Sequence, residues 1–182
     1  MKVFFGGGVN DTDPVYLGID QSYSGFAITA YQKSGSYYTE VYKSDLRGID
    51  RLRDIQAHMM NWMYEFNDNL ADVAMEGYAY GSQMANMLGE LGGTVKLTLR
   101  DTFDTYPLIV PPTVLKKYAT GKGQGISKSQ ILMNVYKKWG VEFTDDNAAD
   151  SYVLAHLVSG MGTRKYEKEV YAKLSSPDYR ER

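Results

Sequence analysis

Short apolar runs dominate the first third of the chain, and longer apolar stripes at helical spacing dominate the rest. Val15–Ala30 (VYLGIDQSYSGFAITA) predicts a strand, a tight turn over Gln21–Gly25 and a second strand. Ser36–Tyr42, rich in tyrosine, threonine and valine, predicts a third strand that pairs back in a meander. In Gly48–Asn67 the apolar positions Ile49, Leu52, Ile55, Met59, Trp62, Met63 and Phe66 trace one helical face, with Asp50 or Ser44 near its start. Asp72–Glu76 (DVAME) suits a buried strand that ends in a carboxylate. Ser82–Leu99 is again helical, through Met84, Met87, Leu88, Leu91, Val95 and Leu99. Its Gly89, Gly92 and Gly93 each cost about 1 kcal/mol relative to alanine. Either a close-packed helix or subunit interface accounts for them, or a kink in a core helix.

Tyr106–Val110 predicts a strand stopped by Pro111 and Pro112, followed by a short helix over Thr113–Ala119 and a flexible loop, Thr120–Gly125. Ser127–Trp139 forms a helix capped by Ser127, and Asn147–Val158 a more apolar one. The polar residues beyond Gly162 predict a peripheral helix that frays. The expected architecture is an α/β fold, a mixed five-stranded sheet with helices on both faces. The expected organisation is an exposed lead-in over residues 1–14, one domain over 15–162 and a peripheral helix or tail over 163–182.

Composition changes this picture little. With 182 residues and 43% apolar content the chain can build its own core, and no apolar run approaches the roughly 20 residues of a membrane span. MKVFFGGGVNDTD is too short in its apolar part for an export signal. The absence of cysteine excludes disulfides and thiolate metal sites, and permits a cytoplasmic location. The net charge of −2 speaks mildly against a nucleic-acid partner, but the charge is unevenly spread. Pro111–Lys138 carries Lys116, Lys117, Lys122, Lys128, Lys137 and Lys138 without one acidic residue. Such a segment is either a local phosphate-binding surface or a solvated lysine-rich face.

Three carboxylates stand out by position. Asp20 follows the apolar strand YLGI, Glu76 ends DVAM, and Asp150 sits at the start of an apolar helix after TDD. Singly, each has a plain structural role open to it: a turn for Asp20, an exposed strand end for Glu76, a helix N-cap for Asp146 or Asp150. Together, converging carboxylates would repel one another and hold protons more tightly. A hard divalent ion such as Mg²⁺ or Mn²⁺ resolves that conflict. Two ions about 4 Å apart would activate water and stabilise a leaving oxygen in phosphodiester hydrolysis.

Three segments, in this order, carry a family resemblance. LGIDQSYSGFAIT resembles the opening motif of the RuvC-type Holliday-junction resolvases, members of the RNase H-like superfamily. VAMEGYAYG is similar to their second motif, and DDNAADSYVLAHL to their closing one. The resemblance spans Val15 to Val158. It implies a homodimeric, metal-dependent endonuclease that cuts branched DNA, with Asp20, Glu76 and Asp150 as ligands of two ions. Where the family places a fourth ligand this chain has Asn147, with Asp146 beside it, and both stay open. The resemblance also implies that lysines in the PPTVLKKYATGKGQGISKSQ region meet the scissile strand: Lys116, Lys117, Lys122 and Lys128, with Lys122 or Lys128 nearest the chemistry. Tyr78 and Tyr80 occupy the place of an aromatic wedge against unstacked bases. TGKGQG lacks the GxxxxGK[ST] pattern of a P-loop. The GIDxxxxG turn also resembles the phosphate strand of actin-like ATPases, but the chain is short for their duplicated domain. A flap or hybrid nuclease of the same fold, and a junction-binding protein without catalysis, are the other readings.

Overall fold

The computed structural model describes residues 1–77 and 85–180. Six strands, β1 (Lys2–Gly6), β2 (Val15–Asp20), β3 (Phe26–Tyr31), β4 (Tyr37–Tyr42), β5 (Leu70–Glu76) and β6 (Leu108–Val110), form one sheet in the order β1-β4-β3-β2-β5-β6. The pairs β1/β4, β4/β3 and β3/β2 are antiparallel, and β2/β5 and β5/β6 are parallel. The helices are α1 (Gly48–Tyr64), α2 (Ala85–Phe103), α3 (Pro112–Thr120), α4 (Lys128–Trp139), α5 (Asp146–Val158) and α6 (Lys165–Leu174).

Strand alternation divides the core in two. Leu17, Ile19, Val73 and Met75 face α1 and α2, where Ile55, Met59, Leu91 and Leu99 bury them. Ala74 faces the opposite way, toward α3, α4, α5 and α6. Gly18 faces α5 directly, and a Cβ there would lie 1.9 Å from the Ser151 carbonyl oxygen and 2.5 Å from the Ala155 nitrogen. Helix α5 therefore rests backbone-close on the central strand, which only glycine permits. A buried hydroxyl thread pins it further: Ser151 Oγ lies 2.8 Å from Thr29 Oγ1, itself 2.7 Å from Thr39 Oγ1. This helix is apolar nearly all round, as expected for one sunk in a core.

The structure corrects several boundaries. Among the described residues the sheet has six strands rather than five, because the segment expected to be an exposed lead-in contains β1. Phe4 turns inward onto Phe143, with ring centroids 5.3 Å apart, while Val3 and Phe5 face out. That one-sided alternation in so short a run before three glycines gives no strand signal. Helix α1 begins after Arg47 without a side-chain cap, and Asp50 lies in its first turn as expected. Ser127 does cap α4, in a capping box with Gln130. The C-terminal helix is tied to the body by ion pairs and hydrogen bonds. Glu167 and Lys138 pair at 2.5 Å with both side chains buried, and Glu167 also accepts from the Thr163 and Arg164 amides at 2.7 Å. Arg180 then clamps Asp72 through both terminal guanidinium nitrogens, Nη1 and Nη2.

Because a Cβ at position 18 collides with backbone rather than a flexible side chain, Gly18→Ala should destabilise the protein by about 1–3 kcal/mol. Urea denaturation measures this, and a midpoint equal to that of the wild type would show that α5 can retreat without cost.

Candidate active site

Strands β2 and β5 run parallel with Ile19 opposite Met75, so Asp20 and Glu76 emerge side by side at the same end of the sheet. The period of two gives Asp20 the direction of Gly18, and Glu76 that of Ala74, both toward α5. Asp150 lies on α5 one residue before Ser151, the residue whose carbonyl touches the Gly18 position. One oxygen from each of Asp20, Glu76 and Asp150 lies within 4.8 Å of the others. Three carboxylates separated by up to 130 residues thus share one centre.

Two anchors hold the start of α5 in place. Its N-cap is Asp145, not Asp146 or Asp150, and the Asp145 side chain accepts from the Asn147 amide at 3.1 Å. Lys2 of β1 pairs with Asp145 at 2.7 Å; burial works against the charge, yet Lys2 holds this carboxyl below its usual range. The second anchor is Gly25 in the β2–β3 turn, where a Cβ would come 2.8 Å from Asn147 Nδ2. Sequence reasoning missed the Lys2–Asp145 link, since it depends on a strand with no pattern signal.

The three carboxylates line a cavity of about 350 Å³ with Gln21, Ser22, Tyr23, Lys116, Lys128, Asp146 and Asn147. Burial, then repulsion from Glu76 and Asp150, raises the Asp20 carboxyl well above its ordinary range. Burial and Asp150 push Glu76 up to about 8, with Lys116 acting in the opposite sense. Burial and Asp146 push Asp150 up to about 7, again opposed by Lys116 and Lys128. Asp20 and Glu76 also hydrogen-bond to each other, and Asp150 Oδ1 is buried without a partner among the described residues. An all-oxygen donor set, an orphaned carboxylate oxygen and strong proton retention are what a hard divalent cation would relieve. The residues fit such an ion, and Asp20, Glu76 and Asp150 are positioned to hold it.

The remaining expected residues divide. Asp146 and Asn147 both line the cavity, and Asp146 is ion-paired with Lys128. Lys116 and Lys128 reach the cavity, whereas Lys122 sits exposed in the following loop outside its lining. Lys117 turns away to pair with Glu169 at 2.7 Å. Tyr78 and Tyr80 lie outside the described residues. His156 is buried against Tyr118 at 2.9 Å, and His58 stacks on Tyr42, both serving packing.

No protein-family model and no curated protein matches this sequence. Solved structures do match. A Thermus thermophilus RuvC in complex with a Holliday-junction substrate aligns with a TM-score of 0.65 at 16% identity, over 90% of this chain and 97% of that one. A second Thermus thermophilus RuvC structure aligns at 0.64 and 18%, over 92% and 98%. The chain has the RNase H-like fold of RuvC. At this identity the likeness establishes the fold, and the carboxylate centre is this chain's own observation. Among the described residues no helix is long and apolar enough to cross a membrane.

The raised carboxyls make a signed prediction. In the metal-free protein, Glu76 and Asp150 keep protons that the unfolded chain would release near pH 4, so their contribution to stability is complete below that and is lost as pH rises through about 7 to 8. Divalent metal needs the ionised forms. The Mg²⁺-induced rise in melting temperature should therefore be small at pH 6 and largest above pH 8, and Asp20→Asn should raise the metal-free melting temperature while losing the increment. Thermal scans with Mg²⁺ or chelator check this; an increment independent of pH would separate the metal from these carboxyls.

Proposed function

We propose that this protein is a divalent-metal-dependent endonuclease that cuts branched DNA, resolving four-way junctions by paired incisions. The observation that carries the reading is the cluster of Asp20, Glu76 and Asp150 within 4.8 Å at the sheet's carboxyl edge. The fold likeness supports it, since one of the similar structures is a RuvC holding a Holliday junction. Mg²⁺ or Mn²⁺, as a pair, would supply an activated water and neutralise charge on the leaving oxygen.

The chain's own groups do the rest. Asp20, Glu76 and Asp150 hold the cations, with Asp146 or Asn147 as auxiliary ligand. Freed from its partner, Lys128 joins Lys116 in facing the scissile phosphate, where a fixed positive charge stabilises the developing pentacovalent anion. Lys122, and with it Lys117, belongs to the outer basic surface that follows the DNA backbone. Tyr78 and Tyr80 stack on unpaired bases at the branch. The phosphorus–oxygen bond to the leaving sugar breaks as water's oxygen attacks, and the leaving oxygen takes up a proton.

Paired incisions need two such sites, so the reading includes a homodimer with two-fold symmetry and places the protein in the cytoplasm beside its DNA. Helix α2 is the proposed interface. Among the described residues, and apart from the helix's own nearby backbone and the adjoining residues, nothing lies within 4 Å of where a Cβ would stand at Gly89 or Gly93, and Leu97, one turn on, is 63% exposed. A flap or hybrid nuclease would use the same carboxylates.

Synthetic four-way junction, flap, RNA–DNA hybrid and plain duplex, each with Mg²⁺, Mn²⁺ or chelator, separate these substrates. The junction should be cut at symmetric positions with metal and not with chelator; a preference for flap or hybrid would reassign the substrate, and cleavage in chelator would reject the mechanism. Asp20→Asn should lower cleavage at least about 1000-fold while junction binding in gel-shift assays is retained.

A further inference from the structure

Gln21 follows Asp20 and is 4% exposed, yet it is not one of the acidic ligands. Its Nε2 donates to the backbone carbonyl of Glu76 at 2.9 Å. A carbonyl only accepts, so the amide nitrogen must face it, and the orientation of the amide follows from chemistry. The other end of the group, Oε1, is then a buried acceptor with no hydrogen-bond partner among the described residues. Gln21 lines the same cavity as Asp20, Glu76 and Asp150. Ionised carboxylates are acceptors too, so they offer nothing to Oε1. A buried amide oxygen held in place and left unpaired beside a cation site calls for a donor that arrives with the cation, and water in its hydration shell is that donor.

We propose that Gln21 is a positioning residue of the metal centre: its Oε1 accepts a hydrogen bond from a water bound to the divalent ion, and its Nε2 link to Glu76 fixes the oxygen for that purpose. The inference rests on the metal-site reading above. It assigns the residue after Asp20 a role toward the ion that an apolar side chain of similar size could not fill. Partners of this kind commonly change metal affinity by 10–100-fold.

Calorimetric titration of Mn²⁺ at pH 8 into the full-length protein tests the proposal without reference to DNA cleavage. Circular dichroism identifies folded variants, and Gln21→Ala replaces Gln21→Met should the latter not fold. Gln21→Met, which lacks both donor and acceptor, should weaken Mn²⁺ binding about 10-fold. Gln21→Glu, which restores an oxygen but not the donor to Glu76, should recover affinity to within a few-fold of wild type. Wild-type affinity in Gln21→Met would overturn the proposal. Equal weakening in both variants would also overturn it, because the lost strand-to-strand link would then be the cause. Binding in wild type that vanishes in Asp20→Asn but persists unchanged in Gln21→Met sinks this inference alone; no Mn²⁺ binding by wild type sinks the metal-site reading and this inference with it.

Discussion

Mutual repulsion among Asp20, Glu76 and Asp150 is the constraint around which the molecule is organised. Carboxylates taken out of water and set within 4.8 Å of one another cannot all ionise without a cation between them. The protein tolerates that conflict because rigid elements hold each group. Two carboxylates end adjacent parallel strands, and the third rides a helix sunk against the same strands. Lys116 and Lys128 offset part of the charge from one side of the cavity. The centre is poised to take up positive charge, whether as protons or as metal.

Several small features enforce the arrangement. The pleat gives Asp20 the direction of Gly18, and the missing side chain at Gly18 lets α5 approach until its backbone nearly touches the strand. The Ser151–Thr29–Thr39 hydroxyl thread and the Lys2–Asp145 pair then fix the rotation and entry of the helix. Each of these contacts lies outside the carboxylate cluster, yet each bears on where Asp150 stands relative to Asp20. Edge strand β1 thereby contributes to the site from the far side of the sheet.

Much of this was legible in the chain. Apolar strands ending in Asp20 and Glu76 and an apolar helix carrying Asp150 are local patterns, and their meeting follows once parallel pairing is assumed. What stayed hidden depends on long-range partners. Lys2–Gly6 has too few inward residues to signal a strand, and only β4 and Phe143 make it one. Asp145 caps the helix from within the polar run Thr144–Asn147 and is held there by Lys2, 143 residues away. Lys117 and Lys116 are neighbours in sequence, but the helix turns one to Glu169 and the other to the cavity. Gln21 gives no sign from sequence, because its importance lies in which end of the amide is satisfied.

The fold alone, shared with RuvC at 16–18% identity, carries no chemistry by itself. The case for a nuclease rests on the cluster being a cation site. Anomalous diffraction from crystals grown with Mn²⁺ addresses that most directly. The account predicts manganese peaks bounded by Asp20, Glu76 and Asp150, at roughly 2.0–2.5 Å from their oxygens. Crystals saturated with Mn²⁺ that show the three carboxyls hydrogen-bonded to one another, with no anomalous peak among them, would contradict it.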